Sequence, residues 1–159
     1  MTQGYEANHS GRFLEDAIEH EFKARRVHIV SWIESEGGNL DLFTAKQLLK
    51  GAPYKSIYGC ASRSEFLYSH YPVVTCRIEC KWQEGPGSVD EKFPYLIMNA
   101  QRAMVETNIW IVLDGGGARA DAIQWIKVEA LKIENKKIRI FSLIEAKRAI
   151  KDLVEKGIA

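Results

Sequence analysis

A carboxylate and a lysine ammonium that leave one face of a strand two residues apart can hold a hard divalent cation and set a positive charge beside it. Hydrolysis of a phosphodiester calls for that pairing. The chain contains five acidic-any-Lys tripeptides: Glu21 to Lys23, Glu79 to Lys81, Asp90 to Lys92, Glu134 to Lys136 and Glu145 to Lys147. Context must choose among them. Only Glu79-Cys80-Lys81 lies well inside a strand-like run, Val73 to Trp82. A period of two there sets Arg77, Glu79, Lys81 and Gln83 on one face and Ile78, Cys80 and Trp82 on the other. Glu79 offers a metal-binding carboxylate and the main-chain carbonyl of Cys80 a further oxygen. Lys81 offers an ammonium that can hold or help deprotonate an attacking water and stabilise developing charge. A second carboxylate is still required.

The elements that must position these groups are legible as periodicities. Phe13, Leu14, Ala17, Ile18 and Phe22 recur at helical spacing over Arg12 to Lys23, with Ser10-Gly11 as its start. Val27 to Ile33 is rich in β-branched and aromatic residues and ends at Glu36-Gly37-Gly38-Asn39, which predicts a strand. Phe43 to Lys50 reads as a short helix closed by Gly51, with Pro53 preventing its continuation. Ser56 to Tyr71 is less regular, with strand-like Ile57-Tyr58 and Phe66-Leu67-Tyr68. Gly85-Pro86-Gly87-Ser88 ends the strand that carries Glu79. A helix follows within Asp90 to Glu106, with Pro94 in its first turn. Ile109 to Leu113 is a continuously apolar, buried strand. Asp114 to Gly117 is a turn, Arg119 to Leu131 a helix, Lys137 to Phe141 a strand and Leu143 to Lys156 a closing helix. This interleaving predicts one α/β domain over residues 1–159 with a central mixed sheet flanked by helices.

The run Ile78 to Gln83, followed by Gly87-Ser88-Val89-Asp90-Glu91-Lys92 at a helix start, resembles the motif region of PD-(D/E)XK nucleases, the superfamily of many restriction enzymes and archaeal-type Holliday junction resolvases. Gly11-Arg12-Phe13-Leu14-Glu15 is similar to the N-terminal helix that often contributes a glutamate, with Glu15 matching. The first metal carboxylate normally stands on the preceding strand. Glu65 in Ser64-Glu65-Phe66-Leu67, fourteen residues before Glu79, matches best, and Asp41 competes. No Pro-Asp pair occurs, and Glu65 stands where aspartate is usual.

The resemblance implies a restriction-endonuclease-like core and a Mg²⁺-dependent DNA endonuclease, Mn²⁺ able to substitute, restriction-like or structure-specific. It further implies Glu65, Glu79, Lys81, Glu15 and Gln83 as catalytic residues, and Glu65, Glu79 and the Cys80 carbonyl as metal ligands. The alternative is a non-catalytic DNA-binding or assembly module on a degenerate nuclease fold. Two strand breaks on a duplex suggest a homodimer.

Other patterns carry less. Ser88 and Lys92 could contact a phosphate at a helix N-terminus or simply cap it. Gly115-Gly116-Gly117 lacks the Gly-Lys-Ser/Thr ending of a phosphate-binding loop and reads as a turn. Net charge is only +1, so a basic rim would have to come locally from Lys136-Lys137-Ile138-Arg139 or Lys147-Arg148 and Lys151. Solvated surface is the blander account of both clusters. Trp82, Trp110 and Trp125 read as core, and Trp32 as either core or stacking platform. His9, His20, His28 and His70 show no metal-binding or triad spacing. Cys60, Cys76 and Cys80 form neither a disulfide framework nor a zinc site. With no apolar run of roughly 18 residues and no basic-then-apolar N-terminus, the expectation is a soluble, cytoplasmic protein.

Overall fold

The computed structural model describes residues 3–32, 46–70, 73–85 and 89–159, with side chains of the first helix described from Arg12 onward. In chain order the elements are α1 (Gln3–Lys23), β1 (His28–Ser31), β2 (Gln47–Lys55), β3 (Ala61–His70), β4 (Val74–Trp82), a 3-10 turn (Asp90–Lys92), α2 (Phe93–Arg102), β5 (Asn108–Asp114), α3 (Ala120–Leu131), β6 (Lys137–Phe141) and α4 (Leu143–Lys156). The strands form one six-stranded sheet in sequence order. β1 and β2 are parallel, β2, β3 and β4 antiparallel, and β4, β5 and β6 parallel. The mixed sheet expected from the interleaved second half is therefore present.

Two apolar layers enclose it. Leu14, Ile18 and Phe22 of α1 join Ile150 and Leu153 of α4 against Ile78 and Trp110 on one face. Phe93 and Ile97 of α2 join Ile126 of α3 against Ile109 and Ile111 on the other. β5 thus buries both faces, as its unbroken apolar run predicted. No helix among the described residues is long and apolar enough to cross a membrane.

Three expectations are corrected. Residues 47–50 form the start of β2 and not the end of a helix, because Gln47, Leu48 and Leu49 are buried between β1 and β3. Gly51 is a kink within that strand, at φ 69°, and not a helix cap. Among the described residues β1 pairs only with residues 47–50, so Pro53 falls where that side of β2 has no described strand partner and its missing N–H breaks no described ladder bond. The helix α1 begins at Gln3, so Ser10-Gly11 lies inside it and does not start it; an interior glycine costs a helix only about 1 kcal/mol. Trp125 is 41% exposed, not core, whereas Trp110 is fully enclosed.

Candidate active site

The site is built where two strands part. β3 pairs with β4 from His70–Val74 to Phe66–Ile78 and no further, although β3 stays paired with β2 as far as Ala61. β4 meanwhile takes β5 as its other neighbour from Arg77 to Trp82. The sheet forks beyond Ile78, and the main chain of Cys80 faces the fork without a ladder partner on β3. Glu65 fills that role: its Oε2 accepts the Cys80 N–H at 2.8 Å.

Lys81 completes the cluster. Its Nζ donates to Glu65 Oε1 at 3.1 Å, Glu79 Oε2 at 2.9 Å and the Cys80 carbonyl at 3.0 Å. Three oxygens from two strands thus converge on a single cation. They are the same three oxygens that the sequence offers as metal ligands, here gathered on the ammonium. Glu79 Oε1 is buried and has no hydrogen-bond partner, so a further acceptor is available. This donor set, all oxygen and carrying two carboxylates, suits a hard divalent ion. Among the described residues no three His, Cys, Asp or Glu side chains form a metal-binding group. Two carboxylates and a main-chain carbonyl fit a small ion that keeps several waters.

Electrostatics follow from burial. Loss of solvent pushes the Glu79 carboxyl up to about 7, Glu65 adds to the rise and Lys81 opposes it. Partial burial pulls against the Lys81 ammonium, but attraction to Glu79 and Glu65 prevails and its pKa is raised. In this arrangement Lys81 is held as the donor to all three oxygens. Glu15, from α1, is also pushed up, first by burial and next by Glu65, with Lys81 opposing, so it lies within electrostatic reach of the cluster. Tyr54 of β2 is held up to about 12, chiefly by burial and then by the negative charge of Glu79. The Cys80 thiol packs into the core and burial pushes it up, leaving only the main chain of that residue toward the fork.

Gln83 sits at the end of β4 with a structural task. Its Nε2 donates to the Gly85 carbonyl at 3.0 Å and the Gly117 carbonyl at 3.2 Å, and its main-chain carbonyl accepts the Gly117 N–H at 2.7 Å. Gly115 needs its lack of a side chain here: at φ 104°, an added Cβ would lie 2.4 Å from the Gln83 carbonyl oxygen. The triple glycine is a turn packed against the strand end. Gln83 and Lys81 together line a largely apolar cavity of about 190 Å³ with Val89 and Phe93. Lys92 is exposed, one residue before Phe93. Ser88 and Asp41 lie outside the described residues.

Three other acidic-any-Lys acids have local duties. Glu21 pairs with Arg25 at 2.8 Å, Asp90 with Arg119 at 2.7 Å, and Glu145 forms a capping box with Ser142. The basic clusters are partly spent as well: Lys136 donates to the carbonyls of Ala100 and Met104 behind α2, and Lys147 pairs with Glu21.

The sequence placed Arg77 on the site face but gave it no role, and it missed Glu106. Arg77 Nε and Nη2 meet the two Glu106 oxygens at 2.6 and 2.8 Å, while Nη1 donates to Ser64 Oγ and the Ala52 carbonyl. This buried pair ties β4 to β2, to β3 and to the segment after α2. The only sequence signal was an arginine between two apolar neighbours in a strand.

A family model described as a PD-(D/E)XK nuclease superfamily domain matches residues 6–154. No curated protein and no solved structure matched the chain. A forked mixed sheet with Glu79 and Lys81 on its central strand, together with a family match over nearly the whole chain, shows that this chain belongs to the PD-(D/E)XK nuclease superfamily.

Proposed function

We propose that the chain is a Mg²⁺-dependent DNA endonuclease, with Mn²⁺ able to substitute, and that Glu65, Glu79 and the Cys80 carbonyl hold the ion. The observation that carries this reading is the convergence of those three oxygens on the Lys81 ammonium. A divalent ion held there neutralises phosphate charge and makes water a competent nucleophile near neutral pH. The protein's own groups supply the rest. Glu79, buried and short of partners, favours a bound cation over solvent. Lys81, with about a third of its side chain exposed, can swing from the carboxylates and donate to a phosphate oxygen or the attacking water. Its part there is to stabilise developing charge or to help deprotonate the water. Glu15 adds a carboxylate in reach of the cluster that can accept a proton as the water is activated. Gln83 positions the strand end, and Ser88 and Lys92 serve the DNA backbone. A homodimer would present two such sites to a duplex.

The test is incubation of the purified chain with linear duplex, supercoiled plasmid and four-way-junction DNA, in Mg²⁺, Mn²⁺ or chelator. Metal-dependent internal cleavage is expected, and preference for the junction would identify a structure-specific enzyme. Salt-sensitive DNA binding without cleavage of any substrate would instead identify a non-catalytic binding module.

A further inference from the structure

Helix α3 has more apolar surface than its packing uses. Ile126 and Ala130 are buried against the sheet layer, yet Trp125, Val128 and Leu131 are 41%, 39% and 84% exposed. A surface helix ordinarily keeps its outer face polar, so an outward apolar stripe marks a contact surface. At 3.6 residues per turn, Asp121, Trp125, Val128 and Lys132 stand at i, i+4, i+7 and i+11, nearly in line along the outer face. All four are exposed.

The order of charges selects the occupant. An acid begins the stripe, two apolar residues form its middle, and a base ends it. A second helix of the same sequence laid antiparallel, about a two-fold axis between Ile126 and Lys127, sets Asp121 against Lys132 of the partner subunit and Trp125 against Val128 of the partner subunit. Both ends and the middle match in a single register, the self-complementarity that a two-fold interface requires. A parallel pairing would set like charges together. Among the described residues these charges make exposed contacts, Asp121 with Arg119 at 3.9 Å and with the Ala122 N–H at 2.9 Å, and Lys132 with Glu129 at 2.6 Å, which contribute little. Beside the stripe, Trp125 also lines a groove of mixed character with Pro94, Ile97 and Met98 of α2 and the polar Gln101 and Glu129.

We infer that α3 is a homodimer interface, formed by antiparallel packing of the Asp121–Trp125–Val128–Lys132 stripe on itself. This inference stands on the helix surface alone and does not depend on the nuclease reading. One helix stripe falls short of the roughly 1,200 Å² of a stable complex, so the dimer is reversible and dependent on concentration.

Light scattering on the full chain between roughly 1 and 200 µM, the span of weak association, tests it. The expected mass rises from 18.1 kDa toward twice that value. Trp125→Lys and, separately, Val128→Glu should hold the chain monomeric with an unchanged circular dichroism spectrum, since both side chains are exposed. Asp121→Lys should weaken the dimer, and Asp121→Lys with Lys132→Asp should restore it. A wild type that stays monomeric throughout overturns the inference. So does a dimer indifferent to Trp125→Lys and Val128→Glu, or a double charge reversal that fails to restore what the single one lost.

Discussion

Lys81 Nζ lies 3.1 Å from Glu65 Oε1, although the strands bearing them stop pairing at Phe66–Ile78. The ion pair spans the open fork of the sheet, and the same ammonium engages Glu79 and the Cys80 carbonyl. An ammonium and a divalent ion would compete for those oxygens. Lys81→Met should therefore abolish cleavage while leaving Mn²⁺ affinity unchanged or higher. Glu79→Gln, which removes a ligand, should lose both. Calorimetric titration with Mn²⁺ separates the two, and loss of Mn²⁺ binding in Lys81→Met would show that the lysine is not the competing cation.

Divalent ion should also stabilise the fold. A ligand that binds only the native state adds about 2.7 kcal/mol at a hundredfold excess over its Kd. Mg²⁺ or Mn²⁺ is expected to raise the melting temperature of the wild type and to leave Glu79→Ala unmoved. Equal shifts in both proteins would place the ion elsewhere.

Arg77 and Glu106 predict a structural phenotype. Their side chains are only 4% and 8% exposed, and breaking a buried pair by removing one partner costs about 3–5 kcal/mol. Glu106→Gln should lose about that much in urea unfolding, without a change in metal affinity. The pH dependence has a definite sign. Burial alone would raise the Glu106 carboxyl, but hydrogen bonds and charge from Arg77 lower it below 4.5 overall. Its stabilisation is therefore full above the unfolded carboxylate value and lost as pH falls through the folded one. Wild-type stability should drop in that acid range more steeply than that of Glu106→Gln.

Gly115→Ala should disturb the end of β4. Its Cβ would meet the Gln83 backbone at 2.4 Å and the residue would retain an unfavourable positive φ. A cost of at least about 2 kcal/mol is expected from strain of this kind. Gly116→Ala, at φ 75° with no atom within 4 Å of the new Cβ, should cost less. Thermal melts of the two variants compare them directly, and equal losses would contradict close packing of the turn on Gln83.

Much of this was legible from the chain. The strand period placed Glu79 and Lys81 together, and the apolar run of β5, the alternation of β6 and the helical pattern between them revealed the mixed sheet. Glu65 could be reached only through family resemblance, because its position depends on where β3 leaves β4, a tertiary event with no local signature. β2 was misread for a related reason. Leu48 and Leu49 fit a helix or a buried strand equally well in a short window, and the Gly51 and Pro53 that look like helix stops are tolerated where β1 ends. Glu106 went unnoticed because its partner, Arg77, is twenty-nine residues away and meets it only in the folded sheet.

Cleavage of plasmid and junction DNA in Mg²⁺ tests most directly whether the oxygens gathered around Lys81 form an active site. Wild type should cut, while Glu79→Ala and Lys81→Ala, each shown by circular dichroism to be folded, should fall by at least about 100-fold, the scale of losing a charge-stabilising group. Cleavage by both variants at the wild-type rate would contradict it.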